Sequence, residues 1–330
     1  MKKIIEPIQL KKYNSKILDL YFKDKSYAVF DIETTGLSPS TSQLILSGML
    51  LVRGDQGEFI QIFADQVDDE KAVITETLAV LNTVDYLVTY NGKHFDLPFL
   101  ERRAKHYGLD YDTLPYNLDL YLVINGHSSL REVLPNLKQK SIEVFMGLSH
   151  RRDDEISGAE SVALYYRYME TKSFALEQKI LLHNHDDVMQ LQLLLPILAK
   201  VDIHRALFNL GLNTDDFLIT KIRLSGHDLL VHGTQKSTPI NYMSFPTEET
   251  PYALIMNQMD RSFQLTIIGE SSADAVYIDA SALLSDTKGI EKYPSYTDGY
   301  LILKQRGNVN YLEINAFLIA FFDANISALI

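Results

Sequence analysis

Eleven residues constrain this chain most: Tyr27-Ala-Val-Phe-Asp-Ile-Glu-Thr-Thr-Gly-Leu37. Their first half alternates with the period of a strand, so Ala28, Phe30 and Ile32 share one face and Val29, Asp31 and Glu33 the other. Two carboxylates therefore stand side by side just before a Thr-Thr-Gly turn. Like charges so close repel, and the pair is costly unless a cation lies between them. A solvated acidic face is the plainer alternative. Against it, the flanking residues read as a buried strand, and the acids fall at its end, where open α/β sheets carry their sites. A metal site is the expectation.

Two further stretches carry acids in telling places. In Tyr90-Asn-Gly-Lys-His-Phe-Asp-Leu-Pro-Phe-Leu100, Asn-Gly signals a turn and Pro98 suits the first turn of a helix reaching Tyr107. Asp96 is then either that helix's N-cap or a site acid. The third stretch is a helix predicted from about Phe174 to Leu198, with an apolar stripe through Leu176, Ile180, Leu191, Leu194 and Leu198. His183 and Asp187 fall on that stripe, one turn apart, and point inward, whereas Asp186 belongs with Lys179 and Gln190 on a wetter face. An inward acid must be paired or bind metal, since burying it bare costs several kcal/mol. A satisfied His–Asp pair is the alternative.

Around these stretches the pattern is α/β. Strands are expected at Leu44–Val52, Glu58–Phe63, Tyr86–Tyr90 and Asn117–Leu120, with helices over Asp69–Leu81 and through Val162, Leu164, Tyr165 and Tyr168. Asp119 reads as a supporting acid. Residues 1–25 form an N-terminal extension whose Ile17, Leu18, Leu20, Tyr21 and Phe22 can dock on the rest. From Asp202 the composition shifts to short strands separated by Gly, Ser, Pro and Asp, closed by a helix over roughly Glu313–Ala328. The expected division is residues 1–201 and a β-rich second domain, 202–330. In the latter, Tyr293, Tyr296, Tyr300, Lys304 and Arg306 suggest a surface that guides a strand or meets a partner; ordinary core tyrosines are the alternative.

The 330 residues carry a net charge of −12, which argues against broad nucleic-acid coating but not against an enzyme that grips a strand end through metal ions. Basic clusters are local (Arg102, Arg103 and Lys105; Lys138 and Lys140; Arg151 and Arg152) and read as solvated faces. The absence of cysteine excludes disulfides and thiolate metal sites. The N-terminus lacks a signal-peptide core, and the apolar run Ala316–Phe322 is too short to span a bilayer, so a soluble, cytoplasmic protein with no membrane partner is expected.

Taken together, the three acidic stretches resemble the motifs of the DEDD group of 3′–5′ exonucleases, which have the ribonuclease-H-like fold. Asp31-Ile-Glu33-Thr-Thr-Gly-Leu is similar to the first motif, Asn91-Gly-Lys-His-Phe-Asp96 to the second and His183-Asn-His-Asp-Asp187 to the third. Arg152-Asp-Asp-Glu-Ile-Ser-Gly158 and His183-Asn-His-Asp-Asp187-Val further resemble a bacterial branch of predicted exonucleases. The likeness spans about residues 25–200; residues 202–330 match nothing usable.

The resemblance implies a mixed sheet flanked by helices and a two-metal hydrolysis of phosphodiester bonds, most simply of DNA, releasing 5′-mononucleotides from a 3′ end. Asp31, Glu33, Asp96 and Asp187 would hold two ions, Mg²⁺ or Mn²⁺, with Asp31 bridging. Thr34, Thr35, Gly36 and Leu37 would pack against the terminal nucleotide, with Asn91 beside them and Phe95 as a wall for the base or a core aromatic. The group divides by the residue ahead of its last Asp: a Tyr with three intervening residues, or a His with four. His183 sits at the Tyr spacing, so its role as base or as water-orienting group stays open. The alternatives are the same chemistry on RNA and a catalytically idle nucleic-acid-binding module. A helicase or other repair or processing protein is the partner class such an enzyme implies.

Overall fold

The structure is a computed structural model that describes all residues except 11, 12, 14, 112–114, 149–155, 157, 237, 249 and 330. It divides into two compact units, Met1–Val201 and Asp202–Ile330.

The first unit is built on a six-stranded sheet of β1 (Lys2–Gln9), β2 (Tyr27–Thr34), β3 (Leu44–Arg53), β4 (Gln56–Phe63), β5 (Tyr86–Thr89) and β6 (Tyr116–Asp119), in the order β1-β4-β3-β2-β5-β6. β1 to β4 pair antiparallel in that order, and β2, β5 and β6 run parallel. Its helices are α1 (Asp19–Phe22), α2 (Glu70–Leu81), α3 (Asp96–His106), α4 (Leu120–His127), α5 (Leu130–Val133), α6 (Gln139–Phe145), α7 (Gly158–Thr171) and α8 (Phe174–Leu194). The alternation in β2 does what its sequence requires. Ala28, Phe30 and Ile32 join Met49, Ile60, Val73, Phe99 and Leu100 in a core under α2 and α3. On the other face Leu46 and Phe63 pack against Tyr165 and Tyr168 of α7 and Ile180 and Leu181 of α8. A mixed sheet covered on both faces explains why the β2 strand is apolar on both sides except at its end.

Three sequence expectations are corrected. The extension 1–25 contains β1, which pairs along its whole length with β4. Nearly all of it is exposed, so no apolar alternation marks it, and Pro7 is tolerated because an edge strand can spare an N–H. Arg103 is not on a solvated face: it is 7% exposed and its guanidinium is clamped on Glu70. The helix from Phe174 ends at Leu194 and tightens into a 3₁₀ turn, because Pro196 has no N–H to continue the ladder. Arg151, Arg152 and most of the Arg152–Gly158 motif lie outside the described residues.

The second unit starts with α9 (Ile203–Leu210) and carries a six-stranded antiparallel sheet of β7 (Leu212–Asn213), β8 (Phe217–Ser225), β9 (Asp228–Gln235), β10 (Tyr242–Ser244), β11 (Tyr252–Met256) and β12 (Ser262–Ile267). A smaller sheet follows around Ala275–Asp279 and Tyr300–Gln305. The closing helix, Tyr311–Phe321, widens into a π turn over Phe322–Ile326; Phe321 and Phe322 meet Tyr252, Phe217 and Phe263 of the larger sheet. Tyr300 packs edge-on against Tyr277, and Arg306 lies near Asp274 in an exposed pair. No helix among the described residues is long and apolar enough to cross a membrane.

Candidate metal centre

At the end of β2, Asp31 and Glu33 face α8, the helix laid over that side of the sheet. Glu33 is 7% exposed and Asp96, the first residue of α3, is 5% exposed. Asp96 does not cap its helix: the N-cap is Phe95, without a side-chain bond, and the Asp96 Oδ1 instead accepts from the Ile32 N–H at 3.2 Å. Its carboxyl is thereby anchored to the backbone of β2, between the two strand acids. From α8, the His183 Nε2 lies 3.6 Å from the Glu33 Oε1 and 3.6 Å from the Asp187 Oδ2. Glu33, His183 and Asp187 each offer a ligand atom, all within 4.8 Å of one another.

Electrostatics bind the fourth acid into the same cluster. Burial pushes the Asp31 carboxyl well above the ordinary range, and the charges of Asp96, Asp187 and Glu33 push it further. Burial likewise raises Glu33 to about 7, with His183 pulling it down and Asp187 pushing it up. Asp96 is raised to about 7, again chiefly by burial. Among the described residues no Lys or Arg pairs with Asp31, Glu33 or Asp96. Three acids from two strand-end segments and a fourth from α8 thus share a site.

The surroundings hold the acids in place. The Asn184 Nδ2 donates to the Asp31 Oδ2 at 3.1 Å, and the Asn184 Oδ1 accepts from the Gln61 Nε2 at 3.1 Å. Gly48, the β3 residue opposite Asp31, makes room: a Cβ there would lie 2.0 Å from the Asn184 Oδ1. Asp119, at the end of β6, accepts from the N–H groups of Asn91 at 2.8 Å and Lys93 at 3.0 Å. It therefore fixes the turn that delivers Asp96, as a supporting acid should. Gly92 sits in that turn with Thr89 only 2.5 Å from where its Cβ would be.

The Thr34–Leu37 turn is rigid at its base and bare at its tip. The Thr34 Oγ1 donates to the Gly36 carbonyl at 2.8 Å, and the Thr35 Oγ1 accepts from the Gln43 N–H at 2.8 Å. Leu37 is 85% exposed. Phe95 packs on the core, 5.8 Å from the Phe99 ring centre. Asn91 holds the left-handed backbone at φ 64°, its Oδ1 3.3 Å from the His94 Nδ1.

One placement differs from the sequence reading. Asp186 and Gln190 are buried at 4% and 1%, not solvated; Lys179 is exposed. α8 packs against β2 and β3 and also against α6 and α7, so it is buried around most of its circumference and a single-stripe reading underestimates it. The sequence reading also passed over Asn184 and Gln61. An amide beside His183 on a helix bound for the core was the available signal, since a buried amide needs partners.

A family model described as the RNase_H superfamily matches residues 28–199, more than half of the chain. The chain is 31% identical over 170 residues to the uncharacterized protein YprB of Bacillus subtilis, covering 49% of this chain and 39% of that one. It is 28% identical over 116 residues to the PolC-type DNA polymerase III of Ureaplasma parvum, covering 28% of this chain and 8% of the polymerase. A DNA polymerase of Methanocaldococcus jannaschii is 42% identical over 53 residues, 16% of this chain and 3% of that protein. Among solved structures, the family B DNA polymerase of Pyrobaculum calidifontis matches with a TM-score of 0.43 and 19% identity, covering 53% of this chain and 24% of that one. The chain thus spans less than half the length of each of these relatives. The family match covers β3 to β6 and all of β2 but its first residue, with the acids at its end and α8, and the chain belongs to the RNase_H superfamily.

Proposed function

We propose that this protein is a metal-dependent nuclease that removes nucleotides from the 3′ end of a nucleic-acid strand, DNA in the first instance. One observation carries the reading: four carboxylates drawn from three distant stretches are held together, with Glu33 and Asp96 buried, Asp31 half-buried, and all three raised in pKa and without a Lys or Arg partner among the described residues. Burying uncompensated charge costs several kcal/mol per ion, so a fold that merely needed stability gains nothing from it. Superfamily membership and the polymerase relatives support the same class of chemistry.

The donor set fits hard divalent cations: carboxylate oxygens with one imidazole nitrogen nearby and no sulfur. Asp31, Glu33, Asp96 and Asp187 would hold two ions, Mg²⁺ or Mn²⁺. Such ions, when bound, activate water and stabilise the leaving 3′ oxygen. The chain's own groups do the rest. The Asn184 amide holds Asp31 in one rotamer, and the Ile32 N–H does the same for Asp96. His183, between Glu33 and Asp187, orients the attacking water or takes its proton. Leu37 packs its bare side chain against the terminal nucleotide, and the Thr34–Gly36 backbone keeps it there.

The test is a panel of end-labelled DNA and RNA, single- and double-stranded, incubated with Mg²⁺ or Mn²⁺. Stepwise shortening from the 3′ end with release of 5′-mononucleotides is expected, abolished by chelation and by Asp31→Asn. Degradation from the 5′ end would overturn the polarity. Intact strands throughout would overturn the reading.

A further inference from the structure

Next to the carboxylate cluster lies a cleft of about 720 Å³ that the chemistry above does not use. Tyr90 and Tyr121 line it, their ring centres 6.0 Å apart and edge to face, together with residues of the segment from Arg131 to Gln139. Its volume is within the ~300–1,000 Å³ common for pockets that bind small organic molecules. We infer that this cleft is a strand-binding station: it grips the nucleotide and phosphates on the 5′ side of the nucleotide being removed. The inference rests on the nuclease reading and names what that reading leaves open, the length and form of the substrate.

Three observations meet here. The first is charge. Arg131 and Lys138 are exposed in the cleft wall, and neither pairs with a carboxylate among the described residues, although the chain carries twelve more acidic than basic groups. The acids closest to Tyr90, Asp119 and Glu143, are buried at 2% and 1%. Asp119 is occupied by the Asn91 and Lys93 N–H groups, and Glu143 accepts from the Gln139 Nε2 at 3.1 Å. Glu132, the exposed acid of this segment, is not among the residues that line the cleft, so its lining offers two cations to a polyanion. The second is surface chemistry. A tyrosine beside a cationic wall supplies a stacking face for a base and donors for its phosphates, the combination that single-stranded nucleic acid takes without sequence preference.

The third is connection to the cluster. The Gln139 Nε2 donates to the Asp187 carbonyl at 3.0 Å, so the wall is tied to the helix that carries His183 and Asp187. On the other side the Tyr90 hydroxyl donates to the Leu137 carbonyl, and Tyr90 precedes Asn91, the residue that opens the turn to Asp96. A strand bound in the cleft thus rests on the same two segments that position the acids.

The test uses the full chain and separates this inference from the nuclease reading. Equilibrium binding of a fluorescent single-stranded oligothymidylate is measured across a salt series for the wild type and Arg131→Gln/Lys138→Gln. Both side chains are exposed, so the double variant keeps the fold. If each contributes a phosphate contact, the slope of log affinity against log salt becomes shallower by about 1.4, since each contact on a single strand contributes about 0.7. In parallel, hydrolysis of thymidine 5′-p-nitrophenyl phosphate with Mn²⁺ reads the cluster alone. The expected result is weaker, less salt-dependent oligonucleotide binding, and an oligonucleotide-to-ester ratio of kcat/KM reduced by about tenfold or more, as for the loss of ~1.4 kcal/mol or more. An unchanged slope and affinity overturns the cleft assignment even if the ester is cleaved. Failure of the wild type to cleave the ester counts against the nuclease reading, whatever the slope.

Discussion

At two places in the first unit buried carboxylates are handled in opposite ways. Glu70, at the start of α2, is 1% exposed and fully compensated from within. The Arg103 guanidinium reaches it through Nε at 2.7 Å and Nη2 at 2.6 Å, the Tyr107 hydroxyl donates at 2.8 Å, and the Leu44 N–H donates at 2.8 Å. Glu33 and Asp96 are buried too, and Asp31 half-buried, yet their neighbours are further acids, one imidazole and neutral donors. Glu70 ties α2 and α3 to the segment leading into β3, and Arg103 also donates to the Pro39 carbonyl. That cluster fastens the turn bearing Leu37. At the other, no Lys or Arg among the described residues pairs with Asp31, Glu33 or Asp96. Compensation, more than burial, separates the two clusters.

The sharpest way to break this contrast is to treat the two clusters alike. Asp31→Asn should lower hydrolysis by about 10⁴-fold, as expected when one member of a group acting as a unit is lost, while the metal-free protein melts no lower than wild type because repulsion is relieved. Single-turnover rates and melting curves of the same preparation check both. His183→Ala should reduce the rate by about 10²–10⁴-fold, the usual scale for a positioned acid–base group, and leave metal binding intact. His183→Tyr should recover part of it, since a Tyr hydroxyl at this spacing can hold water. An unchanged rate in the alanine variant would make His183 a structural partner of Asp187. Arg103→Met should do the reverse of Asp31→Asn: it strands Glu70 without its cation, costing about 3–5 kcal/mol of stability, with metal affinity of the folded fraction unchanged. Denaturant unfolding and Mn²⁺ titration read the two effects separately.

A smaller effect separates the clusters by pH. Glu33 and Asp96 titrate at about 7 in the folded chain, against about 4 when unfolded. Between those values the native state holds protons that the unfolded state has released, so metal-free stability should fall as pH rises from about 4 to about 7. Asp31→Asn should flatten that decline. Arg103→Met should leave its slope as it is.

How much of this could be read from the sequence follows from which signals are local. The alternation around Asp31 and Glu33 is local, and so is the helical spacing of His183 and Asp187; both are visible in a few residues. Asp119 could be named a supporting acid because it ends a strand beside the Asn91 turn. β1 could not be seen, because both its faces meet solvent and nothing in Lys2–Gln9 alternates. Asp186 and Gln190 are buried on a helix that packs against β2, β3, α6 and α7 together, which a single helical stripe does not reveal. Arg103 looked like one of three solvated cations until its partner, Glu70, arrived from another helix. The Arg131–Lys138 wall is of the same kind: the cleft exists only once the segment from Arg131 to Gln139 is folded beside Tyr90, Asn91 and Tyr121.

The most direct measurement is the melting temperature of the full chain against Mn²⁺ concentration for wild type, Asp31→Asn and Arg103→Met. A ligand that binds only the native state adds about 2.7 kcal/mol at a hundred times its Kd. The wild type should therefore shift upward by several degrees, Arg103→Met should start lower and shift by a similar amount, and Asp31→Asn should lose most of the shift. No shift in the wild type at millimolar Mn²⁺, or an equal shift in Asp31→Asn, would contradict a metal site at the carboxylate cluster.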